Sequence, residues 1–163
     1  MTPSGSPELS RLQACDVFFL GWARRLRRAV ADVPAAPAKA AQSVRILIVD
    51  DEEAVRTGIR KTLQQAGFHF LSEAADCASA LGALAAGPVD LVICACDMLE
   101  GRGLGLVRAQ NASPRTGFIL LTGAADRKLA AKAVRCGVHH FLVKPFTARR
   151  LRQKIQDVVG VLA

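Results

Sequence analysis

From residue 44 onward, short apolar runs alternate with stretches of helical periodicity. The run 44–50 is almost continuously apolar, as expected for a central parallel strand that is covered on both faces. Helical stretches stop at glycines such as Gly67, Gly87 and Gly137, which commonly terminate helices. Thr147 has the residue type that caps the start of a helix. The pattern therefore predicts regularly alternating strands and helices.

Five βα units follow one another in this part of the chain. The predicted strands are 44–50, 68–74, 89–95, 117–122 and 139–143. The predicted helices are 53–66, 76–86, 103–110, 126–136 and 148–162. Strands that alternate with helices in this order pair in parallel and place helices on both faces of one sheet. Residues 44–163 are therefore predicted to form an α/β domain.

The segment before this domain has a different pattern. Residues 1–33 are predicted to be a polar tail followed by an amphipathic helix, and 34–43 a linker rich in proline and alanine. Apolar side chains recur every three or four positions along the helix, among them Phe19, Trp22 and Leu26. The helix could pack on its own domain or on a second copy, dock on another protein, or lie on an anionic membrane surface.

The positive charge of the chain is concentrated near its C-terminal end. The net charge is +8, and residues 126–154 carry nine basic side chains against one acidic side chain. The candidate partner-binding residues in this segment are Arg127, Lys128, Lys132, Arg135, Arg149, Arg150 and Arg152. Such a segment favours an acidic partner surface. Nucleic acid is disfavoured because no interleaved aromatic residues or known nucleic-acid module accompany the charges.

The number and spacing of the cysteines indicate their redox state and test for a metal site. The chain has five cysteines, an odd number, and no secretory signal, which predicts reduced thiols in a cytoplasmic protein. Cys94 and Cys96 are too close together for the usual paired-cysteine zinc site, and no second ligand pair follows. His139 and His140 are adjacent on a strand and point to opposite faces, so they do not form a shared metal site. No apolar run is long enough to cross a membrane.

Candidate chemistry lies at the C-terminal ends of the predicted strands, where open parallel sheets place their functional crevice. Asp50 and Asp51 follow the first strand, and Ala95 ends the third. Thr122 ends the fourth strand, and Lys144 follows the fifth.

These residues resemble the receiver domain of two-component response regulators, and the chemotaxis type is closest in size. The strongest motifs are Ile48-Val-Asp-Asp51 and Lys144-Pro-Phe-Thr147, supported by Asp90-Leu-Val-Ile93 and Leu121-Thr122. The resemblance covers 44 to about 162. It implies a doubly wound five-stranded parallel sheet in the order 2-1-3-4-5 and a role in signal transduction, with no enzymatic activity expected.

In the family, an aspartate at the end of the third strand accepts a phosphoryl group from a histidine kinase. The resemblance implies that Asp50 and Asp51 match the family's Mg²⁺ ligands and that Thr122 and Lys144 match the residues that bind phosphoryl oxygens. Thr122 and Phe141 match its switch pair, in which the hydroxyl moves to the phosphoryl group and the aromatic ring turns inward.

The chain departs from the family in the loop after the third strand. Asp90, Met98 and Gly103 fix the register and place Ala95 at the phosphoacceptor position. Leu99 replaces a proline and Arg102 replaces a common aspartate, so three departures fall in one loop. A methyl group can neither attack phosphorus nor bind a metal. We therefore expect no catalytic residue and weak Mg²⁺ binding at most by Asp50 and Asp51. Lys144 is their expected counter-charge.

The sequence thus predicts an atypical single-domain response regulator that acts as a phosphorylation-independent adaptor. Its expected partner is a histidine kinase, another regulator or a target with an acidic surface, and a homodimer is a further option. One alternative is phosphorylation on a displaced acceptor, Asp97, which lies two residues after Ala95. Another is a membrane-surface or nucleic-acid-binding module. No output domain follows in this sequence, which counts against a transcription factor.

Overall fold

A computed structural model describes residues 41–95, 106, 116–123, 127–136, 138 and 140–160. These residues all belong to one unit of the chain, Ala35–Ala163. The predicted N-terminal helix and the predicted loop departures at Leu99 and Arg102 lie outside the described residues, as does Asp97. Of the predicted helix 103–110, the described residue is Leu106, which is helical and fully buried.

The described elements alternate as predicted. The strands are β1 (Arg45–Val49), β2 (Phe70–Ala74), β3 (Leu91–Ala95), β4 (Gly117–Thr122) and β5 (His140–Val143). The helices are α1 (Glu53–Gln65), α2 (Cys77–Ala86), α3 (Arg127–Arg135) and α4 (Ala148–Val159), and a short 3₁₀ turn, Ala41–Ser43, precedes β1.

The five strands form one parallel sheet in the order β2-β1-β3-β4-β5, which confirms the predicted fold class. β3 is buried along its whole length, and β1 and β4 are buried except at their first residues. β2 is an edge strand, and most of its side chains are exposed. Continuous apolar runs thus occupy the central positions, where both faces are covered.

Alternation along the central strands divides the core into two layers. Ile46 and Ile48 of β1 pack in a cluster with buried side chains of α1 and α4. Leu47 and Val49 of the same strand pack in a second cluster, which includes Ala80 of α2 and Ala133 of α3. Successive side chains of a strand point to opposite faces. Helices α1 and α4 therefore cover one face, and α2 and α3 cover the other.

The ends of α4 follow its sequence. The Thr147 hydroxyl accepts a hydrogen bond from the Arg150 main-chain N–H at 3.2 Å, which confirms the predicted cap. The helix ends at Val159, earlier than predicted, because Gly160 takes a left-handed conformation with φ of 62°. Among the described residues, no helix is long and apolar enough to span a membrane.

Candidate functional site

The parallel sheet gathers the candidate residues at one edge. Asp50 follows β1, Ala95 ends β3, Thr122 ends β4 and Lys144 follows β5. Because all five strands are parallel, their C-terminal ends lie on the same side of the sheet. The register reinforces this, since Val49 pairs with Cys94 and Ala95 pairs with Leu121 across adjacent strands.

Among the described residues, Asp50 is the buried acidic group of this edge. Its residue is 0% exposed, and its Oδ2 lies 3.0 Å from Lys144 Nζ. Its Oδ1 accepts a hydrogen bond from the Glu52 main-chain N–H at 2.9 Å. Both carboxylate oxygens therefore have donors, and the buried negative charge has a positive partner, as a buried charge requires.

Asp51 adds a second, exposed carboxylate to the same loop. Within the residues that the structure describes, no group of three or more His, Cys, Asp or Glu side chains is placed to hold a metal ion. Mg²⁺ prefers six oxygen ligands in near-octahedral geometry, and here a lysine ammonium already contacts Asp50. Asp50 and Asp51 thus offer two carboxylates to a cation, and the Asp50 carboxylate already contacts Lys144.

Ala95 stands at the end of β3 and is 1% exposed. Its side chain is a methyl group, which has no lone pair for a metal or for phosphorus. Thr122 lies at the end of the adjacent strand β4. Its hydroxyl is the buried side-chain oxygen that finds no hydrogen-bond partner among the described residues.

Phe141 and Lys144 complete the region on the side of β5. Phe141 is half-buried and packs against the second core cluster. The Lys144 main-chain N–H donates to the Thr122 carbonyl at 2.8 Å, which fixes the start of the Lys144 loop against the end of β4. The lysine side chain can then reach across to Asp50.

Three functional candidates were missed by the sequence prediction: Arg56, Arg60 and Glu73. Arg56 Nη1 donates to the main-chain oxygens of Asp50 and Asp51 at 2.7 and 3.3 Å. Arg56 Nε donates to Glu73 Oε2 at 3.3 Å, and Arg60 Nε donates to Glu73 Oε1. The available signal was the four-residue spacing of the arginines, which places them on one face of α1.

The two arginines lower the pKa of the Glu73 carboxyl that they share. The hydrogen bond from Arg60 is the largest cause that lowers the pKa of the Glu73 carboxyl below its usual value, and Arg56 adds to it. Partial burial of the carboxylate acts in the opposite direction. Glu73 is therefore an ionised anchor for both guanidinium groups at neutral pH.

The predicted basic residues lie on the two helices that flank β5. Arg127 begins α3, and the exposed side chains farther along it are Lys128, Lys132 and Arg135. Arg149, Arg150 and Arg152 are exposed at the start of α4. We call these seven residues the basic surface. His140 begins β5 and is half-buried, whereas His139 lies outside the described residues.

Comparison with known families agrees with this architecture. The family model described as "Response regulator receiver domain" matches residues 46–156, which is more than half of the chain. The chain belongs to the response regulator receiver family. Members of this family are proteins of two-component signal transduction that interact with kinases and other signalling proteins.

The similarity extends to individual chemotaxis proteins. The chain is 33% identical over 125 residues to the probable chemotaxis protein CheY of Rhizobium etli, a match that covers 75% of this chain and 97% of that protein. It is 35% identical over 118 residues to the chemotaxis protein CheY of Pseudomonas aeruginosa, covering 71% of this chain and 95% of that protein. The chain is therefore a CheY-like receiver.

Solved receiver structures share the fold. A response regulator receiver domain protein from Clostridium thermocellum superposes with a TM-score of 0.65 at 27% identity, covering 72% of this chain and 94% of that chain. The signal receiver domain of an HD domain-containing protein from Pseudomonas fluorescens gives a TM-score of 0.65 at 33% identity, covering 72% and 94% respectively.

Proposed function

We propose that this receiver signals by binding, without accepting a phosphoryl group. The observation that carries the proposal is the position of Ala95, buried at the end of β3 beside the loop of Asp50. Phosphoryl transfer needs a nucleophile with a lone pair, and in this family that nucleophile is a carboxylate. The methyl group of Ala95 supplies none.

The ion pair between Lys144 and Asp50 supports the same proposal. In relatives the acidic residues of this region hold Mg²⁺, and the lysine that Lys144 matches binds phosphoryl oxygens. Here Lys144 Nζ lies 3.0 Å from Asp50 Oδ2 and balances its charge directly. A permanent internal cation makes the arrangement independent of phosphoryl and metal. We propose that Asp50 and Asp51 bind Mg²⁺ weakly at most and that Thr122 and Phe141 have lost the family's phosphoryl trigger.

The basic surface is the proposed contact with a partner. The side chains of Lys128, Lys132, Arg135, Arg149, Arg150 and Arg152 are exposed. They favour an acidic protein surface on a histidine kinase, another regulator or a target, or on a second copy of the chain. Arg149 and Arg150 lie in the first turn of α4, where positive charge opposes the helix dipole. This unfavourable placement supports a recognition role. The amphipathic segment with Phe19, Trp22 and Leu26 is the proposed second contact.

Binding with and without a phosphodonor tests this function. Full-length chain would be immobilised and exposed to purified histidine kinases and regulators from its source, with or without acetyl phosphate and Mg²⁺. We expect capture that is the same in both conditions and that weakens as salt is raised. Capture that requires the phosphodonor would contradict the proposal.

Charge reversal identifies the surface. The triple variant R149E/R150E/R152E is expected to lose at least about tenfold in affinity for the captured partner, because each reversal replaces attraction by repulsion. Lys61→Glu, a charge reversal at an exposed position on α1, is the control for reversal away from this surface and is expected to retain binding. Equal binding by the triple variant and the control would exclude the α4 part of the basic surface as the contact.

A further inference from the structure

Arg56 joins the acidic loop to the edge strand of the sheet. It lies in the first turn of α1, and its side chain is 14% exposed. Its Nη1 donates to the carbonyl oxygens of Asp50 and Asp51, while its Nε donates to the Glu73 carboxylate on β2. One side chain therefore holds both the loop that follows β1 and the neighbouring strand.

The strand register explains why Glu73 can serve as the anchor. Ile48 of β1 pairs with Glu73 of β2, which places Glu73 two residues before the level of Asp50. The Asp50 main-chain N–H also donates to the Ala74 carbonyl at 3.2 Å. A guanidinium group donates in fixed, coplanar directions, so a group held by Glu73 presents its remaining N–H bonds in a defined orientation.

The same geometry places positive charge beside the acidic pair. Arg56 contacts the main chain of Asp50 and Asp51, and Lys144 contacts the Asp50 carboxylate. A divalent cation that approaches these carboxylates meets the Lys144 ammonium and the Arg56 guanidinium, whose charge is partly offset by Glu73. Repulsion between a divalent ion and a unit charge a few ångströms away weakens binding severalfold, even at the dielectric constant of water.

We infer that Arg56 is a positioning residue, which fixes the loop after β1 without a divalent cation and lowers the affinity of the acidic pair for one. The inference rests on the proposed function and deepens it, because it names Arg56 as the residue that holds the loop after β1 without a bound metal ion. Its structural support is the contacts of Arg56, and not the chemistry of Ala95.

Arg60 provides a matched control for the test. It donates to the same Glu73 carboxylate from the same face of α1. Within the described part of the chain, it makes no hydrogen bond to the carbonyls of Asp50 and Asp51. Mg²⁺ would be titrated into the full chain and followed by the amide chemical shift of Glu52. We expect R56M to bind Mg²⁺ about three- to tenfold more tightly than wild type, and R60M to stay within about twofold.

Hydrogen exchange of the Glu52 amide separates the positioning effect of Arg56 from the effect of its charge. The Glu52 N–H donates to Asp50 Oδ1, so its exchange rate reports whether the loop is held. R56K keeps the charge but offers a single ammonium group in place of the planar fork. We expect R56K to keep the wild-type affinity for Mg²⁺ while its Glu52 N–H exchanges at least about threefold faster, and E73Q to accelerate this exchange as well.

Two outcomes would overturn the inference. One is that R56M matches R60M in both Mg²⁺ affinity and Glu52 exchange; the other is that R56K exchanges at the wild-type rate. The result is separable from the proposed function. If wild type accepts a phosphoryl group but R56M and R60M still differ as expected, the proposed function fails and the role of Arg56 stands.

Discussion

At the scale of single residues, the ion pair of Asp50 and Lys144 shows how a buried negative charge at the end of β1 is balanced. Asp50 is fully buried, and its charge needs compensation whether or not a metal is available. Ala95 introduces no further negative charge at the end of β3. One lysine can therefore balance the buried carboxylate, together with the Glu52 N–H.

Removing Lys144 tests this balance. K144M is expected to lower the free energy of unfolding by roughly 2 kcal/mol, because it leaves the buried Asp50 carboxylate without its cation. The double variant D50N/K144M is expected to lose less free energy of unfolding than K144M does, because it no longer has an uncompensated buried charge. Urea denaturation at neutral pH measures both. A double variant that is less stable than K144M would contradict this explanation.

The shared carboxylate of Glu73 predicts a dependence of stability on pH. Its pKa is lowered in the folded chain, first by the hydrogen bond from Arg60, so the ionised form stabilises the fold. This contribution is fully present above the usual glutamate pKa of 4.5 and is lost as the pH falls through the lower, folded value. The difference in stability between wild type and E73Q is therefore expected to shrink below about pH 4.5.

Denaturation of both chains between neutral and acidic pH provides the measurement. A difference that stays constant across this range would show that Glu73 acts through packing alone.

At the scale of elements, patterning predicted which segments form strands and helices, while their ends depended on local geometry. The buried runs of β1, β3 and β4 and the order of the sheet were predictable, because central parallel strands must be apolar on both faces. The predicted start of the second strand at Phe68 was too early. Phe68 is buried, and its N–H donates to Leu63 at the end of α1, so β2 begins at Phe70.

The cap of α4 gives a prediction at this scale. T147A is expected to destabilise the domain by about 1 kcal/mol, because the Arg150 N–H loses its hydroxyl acceptor. T147S keeps the hydroxyl and is expected to remain close to wild type. Thermal or urea denaturation of the three proteins decides the point, and equal losses in T147A and T147S would rule out a capping effect.

At the scale of the whole molecule, topology brings together residues that are far apart in the sequence. Asp50 and Lys144 are separated by 94 positions, yet both follow parallel strands of one sheet. Their meeting was predictable from the fold, because strand ends share an edge. The connection from Glu73 through Arg56 was not predicted. It depends on the register of β1 with β2 and on which turn of α1 faces the loop.

The proposed contact surface and the contacts of Arg56 occupy different parts of the same architecture. The basic surface lies on the helices beside β5, whereas Arg56 contacts Glu73 at the opposite edge of the sheet, on β2. A partner bound to α3 and α4 would therefore lie away from the contacts of Arg56 with Asp50, Asp51 and Glu73. This separation suits a domain that presents a constant surface.

Intact mass measurement after incubation with acetyl phosphate and Mg²⁺ tests the central claim most directly. Wild type and A95D, which restores a carboxylate at the end of β3, would be treated together. We expect wild type to keep its mass and A95D to gain the mass of one phosphoryl group. A phosphoryl adduct on wild type, at Asp97 or at any other carboxylate, would contradict the account.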